Sequence, residues 1–142
     1  MIFQGGVPEG QNRAGNAESQ ERRPVLVIED NPGIKELLTD ILESGGYLVV
    51  ALESALGAAD VVRRINPCAI ILDLGLPYRS GASLLAEMKA DPHTASIPVI
   101  VVSALPDTLT EDRRAMAAAI LQKPLRPSVL LTALGAFVRK SE

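Results

Sequence analysis

At four points of this sequence, side chains able to do chemistry stand directly after short apolar runs. Glu29-Asp30 follows Val25-Leu26-Val27-Ile28, and Asp73 follows Ala69-Ile70-Ile71-Leu72. Ser103 follows the run from Ile97 to Val102, and Lys123 closes the segment that begins Ala119-Ile120-Leu121. Three carboxylates brought together cannot all stay charged without a cation or a raised pKa. Oxygen-only ligands with open positions suit Mg²⁺, which takes a few carboxylates, waters and a phosphate oxygen. A lysine and a hydroxyl facing them can hold the remaining oxygens of a phosphoryl group. Such a set positions and neutralises a transferring phosphoryl group, with one carboxylate as the nucleophile.

For this chemistry the four points must meet, so the elements that carry them matter. The apolar runs, rich in Val and Ile, read as buried strands. Between them lie helical patterns. Pro32 opens the first helix, whose stripe is Ile34, Leu37, Leu38, Ile41 and Leu42, and Gly45-Gly46 stops it. Tyr47 to Ala51 reads as a second strand, and Ser54 as the cap of a helix reaching about Ile65, where Arg63-Arg64 complement the dipole. Asn66-Pro67 breaks the chain before the third strand. Leu84, Leu85 and Met88 mark a third helix, closed by Asp91-Pro92. Thr108 with Glu111 fits a capping box for a fourth. Pro127 begins the last, with the stripe Leu130, Leu134, Phe137 and Val138.

Strand and helix thus alternate five times. Continuous apolar strands between amphipathic helices predict a parallel sheet covered on both faces. Right-handed crossovers favour an α/β, flavodoxin-like (βα)5 doubly wound sheet of order 2-1-3-4-5. In such sheets ligands bind beyond the carboxyl ends of the strands, where all four points lie. Residues 1–23, rich in Gly, Gln, Asn, Glu and Arg, read as a flexible tail. Residues 24–140 read as one folded domain.

Composition narrows the classes. With 47% hydrophobic residues but only 3% aromatics, the core must be aliphatic. The net charge of -3 is mild, and basic residues such as Arg113, Arg114 and Arg126 are interleaved with Glu111 and Asp112. A dedicated nucleic-acid surface needs a concentrated basic patch instead. One cysteine, Cys68, and one histidine, His93, exclude an internal disulfide and a Cys/His zinc site. No apolar run approaches the roughly 20 residues that span a bilayer. The start of the chain lacks a signal-peptide pattern, so a soluble, cytoplasmic protein is expected.

Taken in order, Glu29-Asp30, then Asp73 within Ile71-Leu72-Asp73-Leu74-Gly75-Leu76-Pro77, then Gly81, Ser103-Ala104 and Lys123-Pro124 resemble the signature of response-regulator receiver domains. The similarity runs from about Val25 to Val138. It implies that Asp73 accepts the phosphoryl group. Asp30 and Asp73 would bind Mg²⁺ directly with the backbone carbonyl of Gly75, and Glu29 mostly through water. Ser103 and Lys123 would bind the phosphoryl oxygens, and Lys123-Pro124 would be cis. The donor would be a histidine kinase or histidine phosphotransfer protein, since His93 lies in a polar loop segment. The output would be a protein target on the surface of the fourth helix, fifth strand and last helix, with no direct nucleic acid and no membrane insertion. Such a domain is a phosphoacceptor that assists its own phosphorylation and dephosphorylation, not an enzyme for a separate substrate. One position departs from the pattern: Ile120 stands where the family usually has Tyr or Phe, so the aromatic rotamer switch cannot work in its common form.

Each residue also has an ordinary structural reading. Glu29 and Asp30 suit the start of any helix, Asp73 any turn, Lys123 any surface, and Ser103 is the least distinctive. Two other functions compete. A receiver-like interaction module with little use of phosphorylation is favoured by Ile120 and opposed by the intact site set. A small α/β enzyme, such as a flavin protein or phosphatase, is opposed by the acidic loop Glu29-Asp30-Asn31-Pro32-Gly33, which repels a flavin phosphate. It is also opposed by Gly75, where an aspartate-nucleophile phosphatase would carry a second acid. A stand-alone regulator and a fragment of a larger one remain open alternatives.

Overall fold

The computed structural model describes residues 23–76, 80–104 and 109–138. The apolar runs become β1 (Val25–Ile28), β2 (Val49–Leu52), β3 (Ala69–Asp73), β4 (Val99–Ser103) and β5 (Ala119–Gln122). All neighbours pair in parallel, in the order β2-β1-β3-β4-β5. The predicted architecture is therefore the observed one. Between the strands lie α1 (Pro32–Ser44), α2 (Ala58–Ile65), α3 (Gly81–Ala90), α4 (Glu111–Met116) and, last, α5 (Pro127–Phe137).

Alternation along each strand splits the core into two layers. Leu26 and Ile28 of β1, with Ile70 and Leu72 of β3, pack on Val62 of α2 and on Leu84, Leu85 and Met88 of α3. Val25, Val27, Ala69 and Ile71 face the other way, onto Leu38, Ile41 and Leu42 of α1 and Leu130 and Leu134 of α5. β1, β3 and β4 are buried throughout. That is why they read as unbroken apolar runs.

Several local expectations are corrected. Tyr47 is buried but precedes β2, its N–H donating to Leu42 O at 3.1 Å. The Ser54 hydroxyl accepts from Leu56 N at 2.9 Å and caps a turn, while α2 starts later behind Gly57, which sits at φ 72°. Leu37 is 53% exposed and Phe137 48% exposed, so neither joins its predicted stripe. The cap of α4 is Thr110, whose hydroxyl accepts from Arg113 N at 3.2 Å; Thr108 and Pro77 lie outside the described residues. The tail read over residues 1–23 also lies outside them, apart from Arg23. That residue grips the corner before β3, donating from Nε to Asn66 O and from Nη2 to Pro67 O, both at 2.8 Å.

Candidate functional site

The site forms where the carboxyl ends of β1, β3, β4 and β5 meet. Glu29 continues the β1 ladder, its N–H donating to Leu52 O at 2.9 Å, and only 1% of it is exposed. Asp30, the next residue, turns out to solvent. Asn31 follows as the N-cap of α1: its side chain accepts from Ile34 N at 3.0 Å, and Pro32 starts the helix. The Asn31 N–H also donates to Glu29 Oε2 at 3.2 Å, so the cap that begins the helix orients the buried acid.

Asp73 is the last residue of β3 and is buried. Its Oδ1 accepts from Gly75 N at 3.2 Å, which fixes the carboxylate against the following turn. Ser103, also buried, ends β4 one residue beyond Val102, the register partner of Asp73. Lys123 N donates to Ser103 O at 2.9 Å, carrying the lysine to the same end of the sheet. The Lys123-Pro124 peptide is cis. Lys123 Nζ lies 3.1 Å from Glu29 Oε1 and 3.3 Å from Asp73 Oδ1.

Gly81 shapes the loop after Asp73 by close approach. A Cβ there would sit 2.5 Å from Asp73 O and 2.8 Å from Leu74 Cα. The absent side chain lets the start of α3 lie directly on the backbone of Asp73.

Charge is uneven in this cleft. Oxygens of Glu29, Asp30 and Asp73 all lie within 4.8 Å of one another. Burial pushes the Glu29 carboxyl above its usual range; the Asn31 N–H and Lys123 pull against this, and the Asp73 charge adds to it. Burial alone would lower Lys123, but its hydrogen bond to Glu29 and the charges of Asp73 and Glu29 outweigh that and hold it above its ordinary value. One ammonium faces three carboxylates, so the cleft has an excess of negative oxygen donors. Asp30 and Gly75 are its solvent-facing members. That donor set is all oxygen and partly open, the chemistry that fits Mg²⁺.

All six residues singled out in the sequence lie at this one end of the sheet. What sequence reading missed is the double role of Asn31, although an Asn directly before a Pro at a helix start is a capping signal. Ile120 is half-buried in β5 and packs on the core layer that holds Leu84 and Met88. The exposed His93 is turned to Asp91, its Nδ1 3.2 Å from Oδ1.

Comparison with known proteins agrees with this geometry. The sequence profile of a family described as the response regulator receiver domain matches residues 25–135. The chain is 28% identical over 123 residues to the DNA-binding response regulator MtrA of Mycolicibacterium smegmatis, covering 85% of this chain and 53% of that one. It therefore spans about half the length of that relative. Among solved structures, a sensor protein from Polaromonas sp. JS666 is similar at 31% identity and a TM-score of 0.77, covering 82% of this chain and 95% of that one. The receiver domain of a sensor histidine kinase from Pseudomonas aeruginosa, with a magnesium ion coordinated in its active site cleft, is similar at 27% identity and a TM-score of 0.72. That match covers 81% of this chain and 96% of the other.

Proposed function

The chain belongs to the response regulator receiver domain family, and we propose that within its two-component phosphoacceptor function the acceptor is Asp73. The observation that carries this reading is the position of Lys123 Nζ, 3.3 Å from Asp73 Oδ1 in a cleft of three carboxylates. An oxygen of Asp73 attacks the phosphorus of a phosphohistidine protonated at its other ring nitrogen, the P–N bond breaks, and the histidine leaves as a neutral imidazole. Asp30, Asp73 and the carbonyl of Gly75 would hold Mg²⁺, with Glu29 contributing mostly through water. When bound, the ion would neutralise charge on the phosphoryl oxygens. Lys123 and Ser103 take the remaining oxygens.

The receiver unit covers residues 24–140, with residues 1–23 as a flexible tail. Its donor is a histidine kinase or histidine phosphotransfer protein, and its output is altered binding of a protein target at the α4-β5-α5 surface. No helix among the described residues is long and apolar enough to cross a membrane. A cytoplasmic location is part of the same proposal. Ile120 favours a second reading, an interaction module that makes little use of phosphorylation, because an isoleucine cannot act as an aromatic rotamer switch.

The test is intact-mass spectrometry after incubation with acetyl phosphate and Mg²⁺. A phosphoryl adduct that requires Mg²⁺ and is absent from Asp73→Asn is expected. A folded wild-type protein that gains no adduct, while a related receiver treated in parallel does, counts against the proposal.

A further inference from the structure

β2 is an edge strand, and β1 occupies one side of it. Val25 N donates to Leu48 O at 2.8 Å and Glu29 N to Leu52 O at 2.9 Å. In a parallel pair these groups alternate along the strand. Leu48, Val50 and Leu52 therefore turn their backbone groups to β1, and Val49 and Ala51 turn theirs outward. Among the described residues no hydrogen bond reaches those outward groups. Natural edges are blunted by shortness, by lysine or proline, or by a bulge, and this strand of four residues has the first of these. Here Tyr47-Leu48-Val49-Val50-Ala51-Leu52 carries neither a charge nor a proline. Leu48 and Leu56, on either side of the strand, are 45% and 64% exposed.

We propose that this edge pairs with β2 of a second copy of the chain, antiparallel across a two-fold axis. The register follows from which groups face outward. Val49 must exchange both backbone hydrogen bonds with Ala51 of the second copy, and Ala51 with its Val49. Val50 then lies opposite itself as a non-hydrogen-bonded pair. Leu48 lies opposite Leu52 on the same face as Val50, which covers the exposed leucine. The nearest charge, Glu53, falls opposite Tyr47, so no like charges are opposed. A two-fold contact requires a surface complementary to itself, and an uncharged strand in this register meets that requirement. An edge of four residues makes a small contact, so the dimer is weak and concentration-dependent.

The test combines sedimentation velocity with cross-linking on the full chain. Wild type should pass from monomer to dimer as its concentration rises through the micromolar range. Leu48→Lys enters the contact twice by symmetry and should lower the association constant about tenfold or more. In a Cys68→Ser background, Val50→Cys should form a disulfide dimer. The Cα atoms of such a pair are about 4.5 Å apart, within the disulfide range. Val49→Cys, opposite Ala51 and not itself, should cross-link far less. A thermal melt of Leu48→Lys matching that of wild type shows that the fold is kept. A monomer at every concentration overturns the proposal. So does a dimer that Leu48→Lys leaves intact and that cross-links no better at position 50 than at 49.

Discussion

Lys123 reaches Asp73 across an intervening strand: its Nζ lies 3.3 Å from Asp73 Oδ1, although β4 separates β5 from β3. The same ammonium extends to Glu29 Oε1, at the end of β1. One cation from the edge of the sheet thereby ties together three strand ends.

Replacing it with an apolar residue should separate stability, metal binding and chemistry. Lys123→Met leaves the buried Glu29 without its ionic partner, and a stability loss of about 1–3 kcal/mol is expected in urea titration. Mg²⁺ should bind no more weakly by calorimetry, because a positive charge has left the neighbourhood of the carboxylates. Phosphoryl uptake from acetyl phosphate should fall at least about tenfold, since the oxygens of the transferring group lose a fixed cation. Uptake at the wild-type rate would remove Lys123 from the chemistry.

Gly81 should tolerate no side chain. The Cβ of Gly81→Ala would press on Asp73 O and Leu74 Cα, backbone atoms that cannot rotate away. Overpacking of this kind costs about 1–3 kcal/mol. Relief requires α3 or the turn after Asp73 to shift, so phosphoryl uptake per folded molecule should also drop. A variant as stable as wild type and fully active would show that the turn gives freely.

These two sites show what was legible in the sequence. Burial on both faces leaves β1, β3 and β4 as uninterrupted apolar runs, so the strands and the strand-end positions of Glu29, Asp30, Asp73, Ser103 and Lys123 were legible. The order 2-1-3-4-5 followed only from the right-handed crossover rule, which leaves few topologies. The start of α2 was not legible. Ser54 looks like a cap, but it bonds Leu56 N two residues on, and Gly57 delays the helix to Ala58. Leu37 and Phe137 fit helical periodicity yet stay exposed, because the width of the covered face is set by tertiary packing. That Lys123 spans two strands likewise depends on three dimensions.

Acid should weaken the corner between α2 and α3 through Asp91. The His93 backbone N–H and the Arg63 guanidinium beside it hold its carboxyl below the ordinary value. Arg63 Nε donates to Oδ2 at 3.0 Å and His93 N to Oδ1 at 2.9 Å. A carboxyl with a depressed folded pKa contributes stability that is complete above its unfolded value, about 3.9. That contribution fades as the pH falls through the lower folded value. Asp91→Asn should therefore be less stable than wild type at neutral pH, and the gap should narrow toward about pH 3. Urea midpoints at both pH values test this; a gap that widens in acid would reverse the sign.

Ile120 should matter for packing and not for phosphoryl chemistry. It has no polar atom, and its side chain is half-buried among the residues that flank α3. Trimming it to alanine removes apolar contact at a site that is not fully enclosed, so Ile120→Ala should cost about 1–2 kcal/mol. Lys123 N to Ser103 O holds the end of β5 through backbone that the substitution leaves in place. The Mg²⁺-dependent adduct on Asp73 should therefore form within about twofold of the wild-type rate, well under the tenfold that 1.4 kcal/mol at the reacting centre would produce. Measuring both quantities on one preparation separates the effects. A loss of uptake larger than the loss of folded protein would mean that the β5 side chain supports the site directly.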